Sequence, residues 1–196
     1  MALDIHATPS RVPARLDARP VPKRIALIAQ TLDKTIEVMV DGQSGLLATS
    51  PPWFKARFEK GRVVWPNGAQ AFCYTPEVPG GLRGPEHDLA WMSEPVAWPA
   101  ATREEAFSNL RLGLRLGYGR MVWDSTPKRR HPLIRYLLNR SDKHPQHVVV
   151  RGSTYANASN LTPDAVAEWE EAYGGTQRGR EELEGEFFAS QFEFAE

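Results

Sequence analysis

Short apolar runs followed by stretches of helical spacing restrict the fold of this chain more than any other feature. Residues 24–29, Arg-Ile-Ala-Leu-Ile-Ala, are apolar after the arginine without any alternation, which is how a strand reads when a parallel sheet buries both of its faces. Leu32, Ile36, Met39 and Val40 then recur at helical spacing as far as Asp41-Gly42, a helix stop. Leu89-Ala90-Trp91-Met92 is a second run, ending on the polar pair Ser93-Glu94, and residues 120–123 form a third that leads into Asp124-Ser125-Thr126-Pro127. Between them, residues 102–113 carry Ala106 and Leu110, with Leu114 just beyond, on one stripe, and open with Thr102 and Glu104-Glu105, the composition of an amphipathic helix start. A helix over 132–139, a strand over 147–151 and a late helical segment over 162–188, broken at Gly174-Gly175, complete the alternation. Pro66-Asn67-Gly68 between the β-prone stretches 62–65 and 70–74 marks a hairpin. The pattern predicts an α/β fold: a largely parallel sheet with helices on both faces and a β-hairpin excursion.

Residues 1–23 hold prolines at 9, 13, 20 and 22 and show no structural period, so a flexible or irregular arm is expected there, with a domain over 24–196. With 24 basic and 24 acidic residues the net charge is zero, which argues against a chain held to nucleic acid by bulk charge alone. The apolar runs fall far short of the roughly 20 residues of a membrane span, and the N-terminus has charges and prolines where a signal peptide has an apolar centre. No membrane partner and a cytoplasmic location are expected. Cys73 is the only cysteine, so neither an internal disulfide nor a multi-cysteine metal site can form.

The exit of the 89–92 run carries the most chemistry. In nucleotide hydrolases such a strand ends in two acids, one holding Mg2+ directly or through water and the next polarising the attacking water. Here Ser93 takes the first place and Glu94 the second. Taken in order, RIALIAQT, MVDGQSGLL, WPNGA, PGGLRGPEHDLAW with SEP after it, LRLGLRLG, VWDSTPKRR, VVRGSTYANASNL and GTQRGREELEGE resemble the ATPase domain of the large subunit of tailed-phage terminases and of related gene transfer agents, over about residues 24–186.

The resemblance implies a fold like that of P-loop NTPases, and a motor that hydrolyses ATP with Mg2+ to drive double-stranded DNA into a procapsid at the portal, beside other terminase subunits. By position it implies that Glu94 activates water, that Arg83 reaches a neighbouring subunit's nucleotide as a finger, and that Thr126 is the coupling hydroxyl sensing the γ-phosphate. Ser93 falls where the family has the aspartate that organises Mg2+, and a hydroxyl is a poor ligand for so hard a cation. Gln30 and Thr31, ending the first run, join Ser93 as expected cofactor contacts. Lys128, Arg129 and Arg130 read either as a DNA-phosphate contact or as a solvated helix start. No metal-ligand cluster is read from the sequence. Gly80-Gly81-Leu82-Arg83-Gly84 lacks a lysine and a following helix start, so it reads as a loop that projects Arg83, not a phosphate cradle. The tryptophans read as core more readily than as base-stacking platforms.

Two parts of the family pattern do not occur. Residues 1–24 contain no glycine, and Gly-Lys-Ser or Gly-Lys-Thr appears nowhere, Lys60-Gly61 having the order reversed; the phosphate-binding loop GxxxxGK[ST] is therefore missing. The family's nuclease domain would follow Gly185-Glu186. Hence the fold is expected to be incomplete, with an unpaired edge or gap where the P-loop strand lies. The chain alone is expected neither to bind ATP and Mg2+ nor to hydrolyse ATP. Either a P-loop-bearing polypeptide completes the motor, or the chain is a non-enzymatic prophage remnant or interaction module.

Overall fold

The computed structural model describes residues 23–128, 131–143 and 145–186, which fall into two compact units divided after Asp124. The first unit is built on six strands: β1 (Arg24–Ile28), β2 (Arg57–Glu59), β3 (Arg62–Val64), β4 (Gln70–Tyr74), β5 (Leu89–Ser93) and β6 (Arg120–Asp124). They form one sheet in the order β2-β3-β4-β1-β5-β6. The four from β4 to β6 run parallel, while β2 and β3 are joined to β4 in antiparallel fashion. The hairpin is thus where Asn67-Gly68 predicts it, with Val64 opposite Gln70.

β1 lies inside the sheet, between β4 and β5, which explains its unbroken apolar run. Leu27 and Ala29 pack on one face with Met39, Val40, Ala56, Val63 and Ala71. Ala26 and Ile28 alternate with them and, like Ala90 and Met92 of β5, are fully buried. Each large aliphatic side chain buried so completely stabilises the fold by roughly 1.5–3 kcal/mol. The predicted helix after β1 forms as α1 (Leu32–Lys34), which widens at once into a π-helical turn over Thr35–Val40. Thr31 caps α1, its Oγ1 accepting the Lys34 N–H at 3.1 Å. The widened turn closes where the Asp41 N–H donates to the Ile36 carbonyl at 2.9 Å. Within it the buried Thr35 hydroxyl accepts the Ala29 N–H and donates to the Tyr74 carbonyl, tying turn to sheet. α2 (Leu46–Thr49) follows.

β2 is a strand that the sequence pattern does not reveal: its three residues are mostly polar and exposed. Lys60 and Gly61 join it to β3 in a two-residue turn with both φ angles positive. α3 (Arg103–Gly113) buries Ala106, Phe107, Leu110 and Gly113, the predicted stripe. Gly113 has no room for a side chain, since a Cβ there would stand 2.8 Å from the Pro85 carbonyl oxygen. Among the described residues β6 has a neighbouring strand, β5, on one side only.

The second unit contains α4 (Pro132–Lys143), α5 (Pro163–Tyr173) and α6 (Gln177–Glu182), with a 3-10 turn at Tyr155–Asn160. α4 runs further than the predicted 132–139. The late segment breaks at Gly174-Gly175 as expected, Gly175 having φ +70°, and Thr176 caps the next helix through the Gly179 N–H. The predicted helix to 188 is corrected: α6 stops at Glu182, with Gly185 at φ +67°, and 187–188 lie outside the described residues. Residues 147–151 form no strand, against expectation, and Val148 and Val150 are 80% and 77% exposed. A strand exists only through its hydrogen-bonded neighbour, and no described strand pairs with this segment. Among the described residues no helix is long and apolar enough to cross a membrane.

Candidate functional site

In a parallel sheet covered by helices, ligands bind at the carboxyl ends of the strands. Ser93 ends β5 there, and the register sets it directly beside Asp124, the last residue of β6. The two side chains meet: Ser93 Oγ donates to Asp124 Oδ2 at 3.1 Å. The other carboxylate oxygen, Oδ1, accepts the indole N–H of Trp91 at 2.7 Å. Trp91 and Ser93 are two apart on one strand and so share a face, which is why a single carboxylate reaches both. Trp98, 2% exposed, donates its indole N–H to the Ser93 carbonyl at 3.3 Å and so steadies the strand exit.

Glu94 follows with φ 47° and ψ 54°, a left-handed conformation that costs a non-glycine residue of order 1–2 kcal/mol. Its backbone is held on both sides. The Glu94 N–H donates to the Asp124 carbonyl at 2.9 Å, and its own carbonyl accepts the Ala97 N–H at 2.9 Å in the turn Pro95–Ala97. The exit of β1 stands beside that of β5, because Ile28 pairs with Met92. Gln30 is exposed there. Thr31 stands next to it, its hydroxyl oxygen serving as the α1 cap.

Arg83 is not brought to this crevice. It follows the 3-10 turn Pro79–Leu82, anchored by the buried Leu82, on the segment that enters β5 from the opposite end. With Gly84, Asn109, Leu112, Gly113 and Arg115 it lines an open cavity of about 510 Å³. Arg115 is paired there with Glu86 at 2.6 Å, while Arg83 has no ion-pair or hydrogen-bond partner for its guanidinium among the described residues. Thr126 belongs to the second unit, where its hydroxyl donates to Glu182 Oε2 at 3.4 Å. Lys128 is exposed, its N–H closing a turn onto the Thr126 carbonyl at 2.9 Å. Arg129 and Arg130 lie outside the described residues. Of the tryptophans, Trp98 is buried as expected, but Trp53 is 77% exposed in the turn Pro52–Phe54.

Two further groups are set by burial. The Cys73 thiol, on β4, is pushed up to about 11, by desolvation first and by Asp41 second, so it stays protonated and unreactive near neutrality. His87, just before β5, is 1% exposed, and neither ring nitrogen has a hydrogen-bond partner. Among the described residues no three His, Cys, Asp or Glu side chains gather as a metal-binding group.

The residue that sequence reasoning passed over is Asp124. It was legible as the first letter of Asp-Ser-Thr-Pro, but nothing local signals that it faces Ser93; that is a property of strand register.

A parallel sheet flanked by helices, with acidic and hydroxyl side chains gathered at adjoining strand exits, is an open α/β domain with the P-loop NTPase type of fold. The chain belongs to the terminase large subunit family: the model described as "Terminase large subunit, T4likevirus-type, N-terminal" matches residues 2–191, and so takes in most of the segment before β1 as well. Among solved structures it is similar to the large terminase of a thermophilic bacteriophage in complex with ADP, at 12% identity and a TM-score of 0.62, over 84% of this chain and 40% of that one. A second crystal form of that phage's enzyme aligns with a TM-score of 0.59, at 11% identity, over 82% of this chain and again 40% of the other. The large terminase ATPase domain of a Thermus phage matches at 19% identity with a TM-score of 0.54, over 85% of this chain and 77% of that domain. The chain thus spans about two fifths of the first of these proteins. No curated protein sequence matches it.

Proposed function

We propose that this chain is the water-activating part of a DNA-packaging ATPase, working on a nucleotide whose phosphates are held by a loop that these 196 residues do not supply. The observation that carries this reading is Glu94: an acid at the exit of a central parallel strand, held in a left-handed conformation and tied to the neighbouring strand end by the bond to the Asp124 carbonyl. Strain of that kind is retained where a side chain must be aimed. Its role is to accept a proton from, and so orient, the water that attacks the terminal phosphate. A divalent cation, when bound, neutralises charge building on the phosphate oxygens. Gln30 borders the same crevice, and Thr126 is the coupling hydroxyl that the family resemblance implies.

The exposed Arg83 lines a separate cavity and not its own chain's strand-exit crevice, which suits a finger acting on a neighbouring subunit. Such an arginine contributes about 10³–10⁵ in rate. Lys128, with Arg129 and Arg130, supplies a DNA-phosphate contact. Other terminase subunits, the portal of a procapsid and double-stranded DNA are the partners this reading implies.

The sequence without a Gly-Lys-Ser/Thr motif makes the test specific. Co-expressed with a polypeptide carrying that motif, the chain is expected to give DNA-stimulated ATP hydrolysis, reduced at least about 100-fold by Glu94→Gln, the size of a general-base contribution. A pair with no hydrolysis, or one indifferent to Glu94→Gln, favours the alternative of a non-enzymatic interaction module.

A further inference from the structure

The strand exit that lacks a carboxylate at Ser93 is not without one. We infer that Asp124 supplies, from across the β5–β6 pair, the carboxylate that holds the divalent cation of this site; the inference rests on the nucleotide-site reading above. The register is the first ground: Ser93 and Asp124 are paired, so both side chains stand at one height on one face of the sheet, one strand spacing apart. The contact is the second. Asp124 Oδ2 is 3.1 Å from Ser93 Oγ, so its charge lies where the oxygens of a carboxylate on residue 93 would project. Acids at both positions would crowd two negative charges into one place. Serine at 93 and aspartate at 124 instead place one hydroxyl and one carboxylate side by side, with the single negative charge on β6.

The carboxylate is also held as a ligand needs to be. The Trp91 indole N–H fixes Oδ1 at 2.7 Å and the Ser93 hydroxyl fixes Oδ2, using two of the roughly four lone-pair sites and leaving the remainder to a cation. The bond from the Glu94 N–H to the Asp124 carbonyl keeps the two acids in a fixed relation. Mg2+ needs only one or two carboxylates, filling its other positions with water and phosphate oxygens, so the want of a three-residue cluster is no obstacle.

The indole that touches Asp124 is itself the reporter. The chain has six tryptophans, each giving one indole N–H signal in a nitrogen-15 spectrum, and Mn2+ is a paramagnetic substitute for Mg2+. Against the expectation from Ser93 that the chain alone binds no Mg2+, millimolar Mn2+ added to the full chain is expected to broaden the Trp91 signal before the other five, with excess Mg2+ restoring it. Asp124→Asn keeps an oxygen for Trp91 but removes the charge, and is expected to abolish the selectivity. The exchange Ser93→Asp with Asp124→Ser is expected to bring it back. Broadening that is unselective in the wild type, that survives Asp124→Asn, or that is lost on Glu94→Gln alone overturns the inference. The two readings separate cleanly. Selective broadening in a chain whose co-expressed pair never hydrolyses ATP keeps the cation site and rejects the motor. An active pair whose Mg2+ requirement ignores Asp124→Asn keeps the motor and rejects Asp124.

Discussion

His87 shows what a single side chain does when the fold buries it without a partner. It stands beside the rings of Tyr74, edge-on with centroids 5.4 Å apart, and of Phe72 at 6.2 Å, and its ring nitrogens reach no acceptor. Burial first, and the Arg24 guanidinium second, push it down to about 4, with Asp88 pulling weakly the other way. The unfolded chain takes up this proton near pH 6.5 and the folded one only near 4, so between those values the unfolded state binds more protons. Stability therefore rises with pH across that window and is lost as pH falls from about 6.5 towards 4. At about pH 5 the loss from this one group is roughly 2 kcal/mol. Urea unfolding of the wild type and of His87→Phe at about pH 7.5 and pH 5 checks it. The variant is expected to match or exceed the wild type at the higher pH, having no ring nitrogens to leave unpaired, and to lose about 2 kcal/mol less on acidification. An equal loss in both proteins places the acid sensitivity elsewhere. At this scale the sequence is legible where chemistry follows from neighbours in the chain: Ser93 and Glu94 stand at the end of an apolar run, and their place at the crevice follows. Asp124 and His87 owe their surroundings to Trp91, Phe72, Tyr74 and α3, which only the folded sheet assembles.

Elements whose signal is local form where the sequence puts them. β1 and β5 are apolar because both faces are covered, α3 carries its buried stripe, and Asn67-Gly68 turns β3 into β4. Elements defined by a partner do not announce themselves. β2 is three mostly polar residues that pair with β3, and the wide turn at Thr35–Val40 is tied to the sheet by the Thr35 hydroxyl. Residues 147–151 are the reverse case, β-prone in composition and unpaired in the fold. The β2–β3 turn gives a prediction of its own. Lys60 at φ 50° and Gly61 at φ 75° adopt the doubly left-handed geometry that Asn-Gly fits best, and lysine is strained there. Glu59 stays paired with Arg62 whatever occupies the exposed position 60. Lys60→Asn is expected to stabilise the protein by about 0.5–1 kcal/mol, raising Tm by about 1–4 °C. Gly61→Ala, forcing a side chain into φ +75°, is expected to lower it. Thermal unfolding of both variants decides the matter; two shifts of the same sign contradict it.

For the molecule as a whole, neutrality and open surfaces point the same way. A chain with 24 charges of each sign has no bulk attraction to DNA, so the DNA contact proposed for Lys128, Arg129 and Arg130 is a local one. In the first unit β6 keeps one edge without a strand among the described residues, and exposed strand edges are ready templates for another chain. In the second, residues 147–151 carry Val148 and Val150 into solvent in an irregular stretch. Each is what a separately supplied β element would cover, and covering either one changes how the chain is cut. Proteolysis reads local opening, and exposed irregular segments are cleaved first. In the chain alone, trypsin is expected to cut early after the exposed Arg151 and late after Arg111, which lies within α3. Bound to the P-loop-bearing polypeptide of the co-expression test, the chain is expected to lose the early cut at Arg151 while other exposed sites, such as Lys60 in the β2–β3 turn, keep their rates. Protection spread evenly over all sites would mean general stabilisation of the fold rather than a strand laid against 147–151. Unchanged cutting at Arg151 in a complex that hydrolyses ATP would show that the partner completes the site without touching this segment, leaving the β6 edge as its place of attachment.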